Sequence, residues 1–170
     1  MARQSHTVQQ HRAILQDIAR RAMLERGLLP DFSVAALAEL DRIQAPAREN
    51  DHPTGNISAI LDLTALPWAS IDNDDSRDLD QLTLAEALPG DKVKIRVAVA
   101  DVDALVRVGS AIDAHALHNT TSVYTAAQIF PMLPEKLSAD YTSLNFDEER
   151  LAVVVEMVIG VDGAVQGSDI

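Results

Sequence analysis

An acidic segment, Asp72 to Asp80, constrains this chain more than any other stretch. It holds five aspartates in nine positions, and it lies between two apolar runs, residues 66–71 and 82–85. A solvated acidic turn usually has polar flanks, whereas these flanks are typical of a hydrophobic core. Crowded carboxylates raise one another's pKa unless a cation neutralises them. The segment therefore indicates either a cation site at the end of a strand or a solvated acidic turn, and composition alone does not decide between them.

The side chains of the segment limit which cation it could bind. Oxygen ligands without His or Cys suit a hard cation such as Mg²⁺, Mn²⁺ or Ca²⁺. An EF-hand calcium loop that starts at Asp72 fails, because Arg77 stands where the loop needs Gly and Thr83 stands where it needs its last Glu.

The spacing of the aspartates is consistent with a two-metal phosphodiester site. Asp78 and Asp80 are two positions apart, so on an extended segment both point to one face. Asp72 reaches the same place if residues 73–77 fold back as a loop. This spacing permits the three carboxylates to converge but does not prove that they do.

Composition excludes several classes of protein. The chain has 170 residues, of which 47% are hydrophobic, so it is long enough for one domain or for part of a larger one. It has no Cys, no secretory signal and no apolar run of about 20 residues, so we expect a cytoplasmic protein with no membrane partner. A net charge of -12 argues against a general polyanion-binding surface. A local nucleic-acid channel is still compatible with it, because a metal ion can bridge an acidic cluster to a phosphate.

The pattern along the chain predicts an α+β fold in two parts. Residues 1–45 are predicted to be helical, with helices over 8–26 and from Val34 to about residue 43, after an N-cap at Ser33. Each helix has an apolar face that is predicted to be buried, with Ile14 and Ile18 on the first helix and Leu37 and Leu40 on the second. This pair is compatible with a helix-turn-helix or with a helical cap on the main domain. Residues 45–56 are predicted to be a linker, because they are polar, contain prolines and a glycine, and show no periodicity.

Residues 57–170 are predicted to be mainly β. The predicted elements are strands over 68–72, 80–87, 92–101 and 151–159, a helix over 111–117, extended segments over 122–124 and 128–132, and hairpin turns at 89–91 and 161–164. Residues 167–170 show no closing strand or helix, so we expect the domain to be interrupted there.

Several blocks of the sequence, in order, resemble the RNB-domain exoribonucleases, the ribonuclease II and ribonuclease R family. The first are Asp-Leu-Thr-Ala-Leu-Pro at 62–67, Ile71-Asp72 and Ser-Arg-Asp-Leu-Asp at 76–80. Further similar blocks follow at 97–102, 109–113, 121–124, 131–138, 143–145 and 149–152. The resemblance implies an enzyme that needs a divalent cation, Mg²⁺ with Mn²⁺ as the alternative, and hydrolyses single-stranded RNA from its 3′ end to nucleoside 5′-monophosphates.

The resemblance also implies which residues act. Asp72, Asp78 and Asp80 match three of the four aspartates that hold the metal ions in the family, and Asp78 and Asp80 are the expected catalytic pair. Gln81 stands at the fourth position, where a neutral amide is a weaker ligand than a carboxylate. Tyr124 matches an aromatic residue that stacks near the terminal nucleotide, although the sequence alone indicates only a half-buried strand tyrosine.

Two further residues are candidates to contact the metal ligands without contacting the metal ion. They are Arg77 and Asp101, and Asp101 is equally compatible with a simple turn residue. Asp74 and Asp75 are predicted to be solvated loop charges.

The chain also departs from the family pattern. Residues 1–50 are predicted to be helical where the family has cold-shock β-barrels. The rest of the RNB domain and an S1-type RNA-binding domain are expected beyond residue 170, so we expect the isolated chain to be inactive. The alternative is a non-catalytic RNA-binding fragment or an acidic module that binds divalent cations, and a nuclease assay distinguishes these from an enzyme.

Overall fold

The computed structural model describes residues 2–48, 60–74 and 76–170, with side chains from residue 10 onward. The fold is α+β, as the sequence predicts, and the chain divides into two compact units. The first unit combines Met1–Ile43 with Val106–Glu135, and the second combines Gln44–Leu105 with Lys136–Ile170.

The first unit contains three helices and a short hairpin. These elements are α1 (Ala2–Glu25), α2 (Val34–Leu40), α3 (Ala111–Asn119), and the antiparallel strands β3 (Val123–Tyr124) and β4 (Ile129–Phe130). Serine caps begin the second and third helices, since Ser33 Oγ accepts the Ala36 N–H at 3.1 Å and Ser110 Oγ accepts the Asp113 N–H at 3.2 Å. The predicted helices and the Ser33 cap are thus confirmed.

Helices α2 and α3 are joined through Glu39. Its carboxylate accepts the backbone N–H of Ala111 at 2.9 Å and of Ile112 at 3.0 Å, at the N-terminus of α3. These two hydrogen bonds lower the pKa of Glu39. A carboxylate satisfies the unpaired donors of a helix start and interacts favourably with the helix dipole there.

The apolar faces predicted for the first two helices are only partly buried. In α2, Ala36 is fully buried while Leu37, predicted on the buried side, is half exposed. In α1, Met23 is buried but Ile14 and Ile18 are about half exposed. The expectation for Leu37 was wrong because Ala36 is the residue that α2 buries.

The second unit is built on a four-stranded antiparallel sheet. Its strands are β1 (Gln81–Leu88), β2 (Lys92–Ala100), β5 (Ala152–Ile159) and β6 (Val165–Asp169), in the order β1-β2-β5-β6. A π-helix, Leu137–Tyr141, precedes β5. The predicted strands over 80–87, 92–101 and 151–159 are confirmed, as is the turn at 89–91, where Gly90 has a φ of +77°.

Two strand predictions were wrong. Residues 167–170 were expected to contain no closing strand, yet β6 pairs with β5 along Glu156–Ile159 and ends at Asp169. Residues 68–72 were expected to form a strand, yet only Ala69 pairs with β1, through two backbone hydrogen bonds with Thr83 of 3.0 and 2.8 Å.

The sheet has a charged end and an apolar end on one face. At the charged end, the Glu156 carboxylate accepts hydrogen bonds from Lys94 at 2.7 Å and from Arg96 at 2.9 Å. Both contacts lower the pKa of Glu156, and the contact with Lys94 has the larger effect. At the apolar end, a core forms around Ala98, Ala100 and Leu144. The half-buried side chains packed on this core are Trp68, Leu79, Leu82, Ala152 and Val154. The acidic segment enters the sheet at this apolar end.

The predicted boundary near residue 45 lies close to the division after Ile43. Residues 106–135 group with the helices instead of with their sequence neighbours. The predicted linker falls largely on residues 49–59, which lie outside the described part of the chain, so the two-domain assignment stays a prediction. Within the described ranges, none of the helices is both long and apolar enough to cross a membrane.

Candidate active site

The main chain of the acidic segment is fixed from two sides where it enters β1. On one side, Ala100 of β2 donates its N–H to the Asp80 carbonyl at 2.9 Å. On the other, Leu144 donates its N–H to the Leu79 carbonyl at 2.8 Å, and the Leu79 N–H is donated to Ser143 Oγ at 3.0 Å. The Leu79 side chain packs on the core, so the backbone between Asp78 and Asp80 has a defined position.

The side chains of the predicted ligands all face solvent. Asp72, Asp78, Asp80 and Gln81 are exposed, and Asp78 and Asp80 flank the half-buried Leu79. This alternation is that of an extended chain. Between Asp72 and Asp78 the chain turns, because the Ser76 N–H is donated to the Asn73 carbonyl at 3.0 Å. The turn lies where the loop between these two carboxylates was predicted.

The donor chemistry fits a hard divalent cation, but the full ligand set is not assembled. All the predicted ligands offer oxygen atoms, which Mg²⁺ and Mn²⁺ prefer. Among the described residues, no three of His, Asp and Glu are grouped closely enough to hold a metal ion together. That Asp72, Asp78 and Asp80 converge on a metal ion therefore stays a prediction.

Asp101 has a turn role in this structure. It is half-buried, its Oδ1 accepts the Ala104 N–H at 3.2 Å, and its own N–H is donated to the Leu151 carbonyl at 3.0 Å. The side chain thus closes the turn after β2. The side chain of Arg77 is exposed, and a support role for Arg77 or Asp101 at a metal stays a prediction.

Tyr124 lies on β3 in the first unit, paired with Ile129 of β4. The sequence alone indicated a half-buried tyrosine, but its residue exposure is 66%. An exposed ring on a short hairpin has a face to offer to a nucleic-acid base. Exposure alone does not show that Tyr124 binds RNA, so this role stays a prediction.

Sequence reasoning missed Ser143 as a residue of this region. It is 1% exposed, and its hydroxyl accepts a hydrogen bond from the backbone N–H of Leu79, 64 positions earlier. A serine in a loop is ordinary in sequence, and partners so far along the chain leave no local pattern. The one available signal was its place in a block, 143–145, that resembles the RNB family.

Comparison with known proteins gives a consistent result. The family model for the RNB domain matches residues 60–170. Ribonuclease R of Vibrio cholerae is 42% identical over 107 residues, which are 63% of this chain and 13% of that protein. Exoribonuclease 2 of Shigella boydii is 35% identical over 125 residues, which are 69% of this chain and 19% of that protein.

A solved structure extends the likeness to the fold. It is the RNase R of Mycoplasma genitalium in complex with ribose methylated single-stranded RNA, with a TM-score of 0.71 and 29% identity. The alignment covers 86% of this chain and 22% of that one. The chain therefore spans only a small part of the length of the proteins that it matches.

Proposed function

Because the chain belongs to the RNB domain family, we propose that it contributes the acidic metal-binding part of a hydrolytic exoribonuclease. The observation that supports this proposal is the segment holding Asp78 and Asp80. It lies inside the matched range, its backbone is hydrogen-bonded on both sides, and its carboxylates face solvent. A rigid backbone under exposed carboxylates suits a site that must bind a cation and a substrate phosphate together.

In this proposal Asp78 and Asp80 hold a divalent cation, Mg²⁺ or Mn²⁺, with Asp72 as a third ligand. Such a cation supplies an activated water and stabilises the leaving oxygen of a phosphodiester. Gln81 offers a neutral amide oxygen where a fourth carboxylate is expected. The site therefore carries less negative charge, and it depends more on the two aspartates beside Leu79.

The proposed substrate is single-stranded RNA, shortened from its 3′ end to nucleoside 5′-monophosphates. The Mycoplasma genitalium relative was solved with single-stranded RNA, which supports this choice. Tyr124 contributes a ring on which a base stacks, a contact that is worth about 1–3 kcal/mol per base. The net charge of -12 leaves RNA binding to local contacts instead of to a broad basic surface.

The test uses the intact protein and a 5′-labelled single-stranded RNA, with and without Mg²⁺. The proposal predicts stepwise shortening of the labelled strand and release of nucleoside 5′-monophosphates, both abolished by a chelator. An RNA cut internally, or one degraded equally well after chelation, would contradict it.

One observation favours a second function, a non-catalytic RNA-binding fragment. The described residues contain no assembled group of three metal-binding side chains. A filter-binding assay beside the nuclease assay separates the two functions, because a binding fragment retains the labelled RNA on a filter but releases no nucleotide at any metal concentration.

A further inference from the structure

A buried hydrogen-bond cluster lies directly behind the acidic segment. It is formed by Ser143, Leu144 and Asn145, which we call the 143–145 clamp. The Ser143 hydroxyl accepts the Leu79 N–H at 3.0 Å and lies 3.1 Å from the Arg77 carbonyl oxygen. The clamp therefore contacts the backbone on both sides of Asp78.

The clamp is itself held in one position. The Ser143 hydroxyl also lies 2.9 Å from Asn145 Oδ1, so its single proton has two acceptors within reach. Leu144 adds the 2.8 Å backbone bond to Leu79 and buries its side chain in the core beside Ala98 and Ala100. With Ser143 at 1% exposure, water has no access to replace these bonds.

Arg150 fixes the loop that carries the clamp. Its guanidinium donates to the Asp140 carbonyl at 3.3 and 3.1 Å and forms an ion pair with Glu148. The side chain of Arg150 is only 9% exposed, so these bonds are partly shielded from solvent. The loop from 140 to 150 is thus closed on itself while Ser143 reaches across to Leu79.

We infer that Ser143 is a positioning residue for the metal-binding carboxylates of Asp78 and Asp80. The inference rests on the proposed function, in which these carboxylates hold a divalent cation. Two carboxylates bind one cation well only if their separation is set in advance, because each must otherwise be ordered when the ion binds. Ser143 sets the backbone on either side of Asp78 without touching the cation itself.

The test compares two variants that each lose one buried hydroxyl from the same loop. Ser143→Ala removes the bonds to residues 77–79. Thr142→Val is the matched control, because Thr142 is also buried and its Oγ1 donates to the Leu137 carbonyl at 3.0 Å, away from the acidic segment. Both variants are expected to lower the melting temperature, so stability alone does not distinguish a positioning role from a structural one.

Two readouts do distinguish these roles in the intact protein, at a temperature where all variants are folded. The first is Mn²⁺ binding measured by calorimetry without RNA, and the second is the Mn²⁺ concentration that gives half-maximal nucleotide release. Loss of a group that orients metal ligands typically weakens metal affinity by 10–100-fold, so we expect at least about tenfold weaker Mn²⁺ binding for Ser143→Ala. Thr142→Val should bind Mn²⁺ as the unchanged protein does.

The outcomes separate failure of the inference from failure of the proposed function. If the unchanged protein releases nucleotides with Mn²⁺ and Ser143→Ala matches Thr142→Val in both readouts, the positioning role is wrong while the function stands. If the unchanged protein neither binds Mn²⁺ nor releases nucleotides, the proposed function falls and the positioning role falls with it. If Ser143→Ala does not fold, Asn145→Ala replaces it. Asn145→Ala is expected to weaken Mn²⁺ binding less than Ser143→Ala would, whereas Thr142→Val should not weaken it.

Discussion

A buried amide, Asn119, holds the segment before α2 against α3, and its removal should destabilise the first unit. Its Oδ1 accepts the Leu29 N–H at 2.9 Å, and its Nδ2 donates to the Leu29 carbonyl at 2.9 Å. The Leu29 N–H fixes the orientation of the amide, because only the oxygen of Asn119 can accept it. The second proton on Nδ2 therefore faces His115 Nε2, 3.2 Å away.

This geometry makes Nε2 of His115 a hydrogen-bond acceptor, so the stability of the first unit should depend on pH. His115 is 5% exposed and its ring contacts that of Phe32, with 4.2 Å between the ring centroids and a tilt of 37°. Burial, and to a lesser extent His118, lower the pKa of His115. The unfolded chain then takes up a proton more readily than the folded one. The stability that the neutral His115 ring contributes is therefore fully present above the ordinary histidine pKa of about 6.5. It is lost as the pH falls below that value towards the lower pKa of the folded state.

We predict that Asn119→Ala lowers the free energy of unfolding by about 3 kcal/mol, from two hydrogen bonds of about 1 kcal/mol each and one buried acceptor left unpaired. For a chain of this size that loss corresponds to a fall in melting temperature of about 6–12 °C. Asn119→Asp keeps the acceptor for Leu29 but places a carboxylate beside His115 Nε2. That charge favours the protonated ring, so the loss of stability below pH 6.5 should be reduced or reversed.

Thermal unfolding followed by circular dichroism between about pH 5 and 8 measures both effects, a range that spans the histidine titration. His11→Gln is the control, because it removes a histidine that is exposed on α1 instead of the buried ring of His115. A melting temperature for Asn119→Ala within about one degree of the unchanged protein would refute the assigned hydrogen bonds. An Asn119→Asp profile identical to the unchanged one would refute the role of His115.

Two further predictions concern the proposed site in the intact protein. Gln81→Asp should add a charged ligand and lower the Mg²⁺ concentration needed for half-maximal nucleotide release, and an unchanged metal titration would show that position 81 does not contact the cation. Tyr124→Ala should weaken single-stranded RNA binding by about 1–3 kcal/mol in a filter-binding titration, while Tyr124→Phe keeps the ring and the affinity. If Tyr124→Ala alters only thermal stability, the ring is structural.

Local signals were sufficient for much of the fold. The caps at Ser33 and Ser110 and the turn at Gly90 act within a few residues, and the elements that they begin or end were predictable. Alternation in β2 does not show which face is buried, because Lys94 and Arg96 lie on the face that continues to the buried Ala98 and Ala100.

Elements that depend on a distant partner were not predictable in this way. Strand β6 contains Gly167 and Ser168, which do not favour strands, and it forms because β5 offers a free edge. Trp68, Ala69 and Ile71 are apolar, yet of residues 68–72 only Ala69 finds a pairing partner. The bond between Ser143 and Leu79 spans 64 positions, and no local periodicity reports it.

The same division applies to the candidate site. The acidic cluster was visible in the sequence because five carboxylates stand close together there. The packing of Leu79 and the hydrogen bonds from Ala100 and Leu144, which hold Asp78 and Asp80 in place, come from β2 and from the loop before β5. Only the fold could show them.

The most direct test of the account is the turnover of Asp80→Asn beside Asp74→Asn in the intact protein. Both changes remove one negative charge from the same exposed segment and keep the size of the side chain. Of these two residues, Asp80 is proposed to hold the cation and Asp74 is not. Asp80→Asn should therefore release nucleotides at least about a hundredfold more slowly while RNA binding stays largely intact, and Asp74→Asn should be close to normal. Near-normal turnover by Asp80→Asn, or equal losses in the two variants, would contradict the account and leave the segment as a solvated acidic loop.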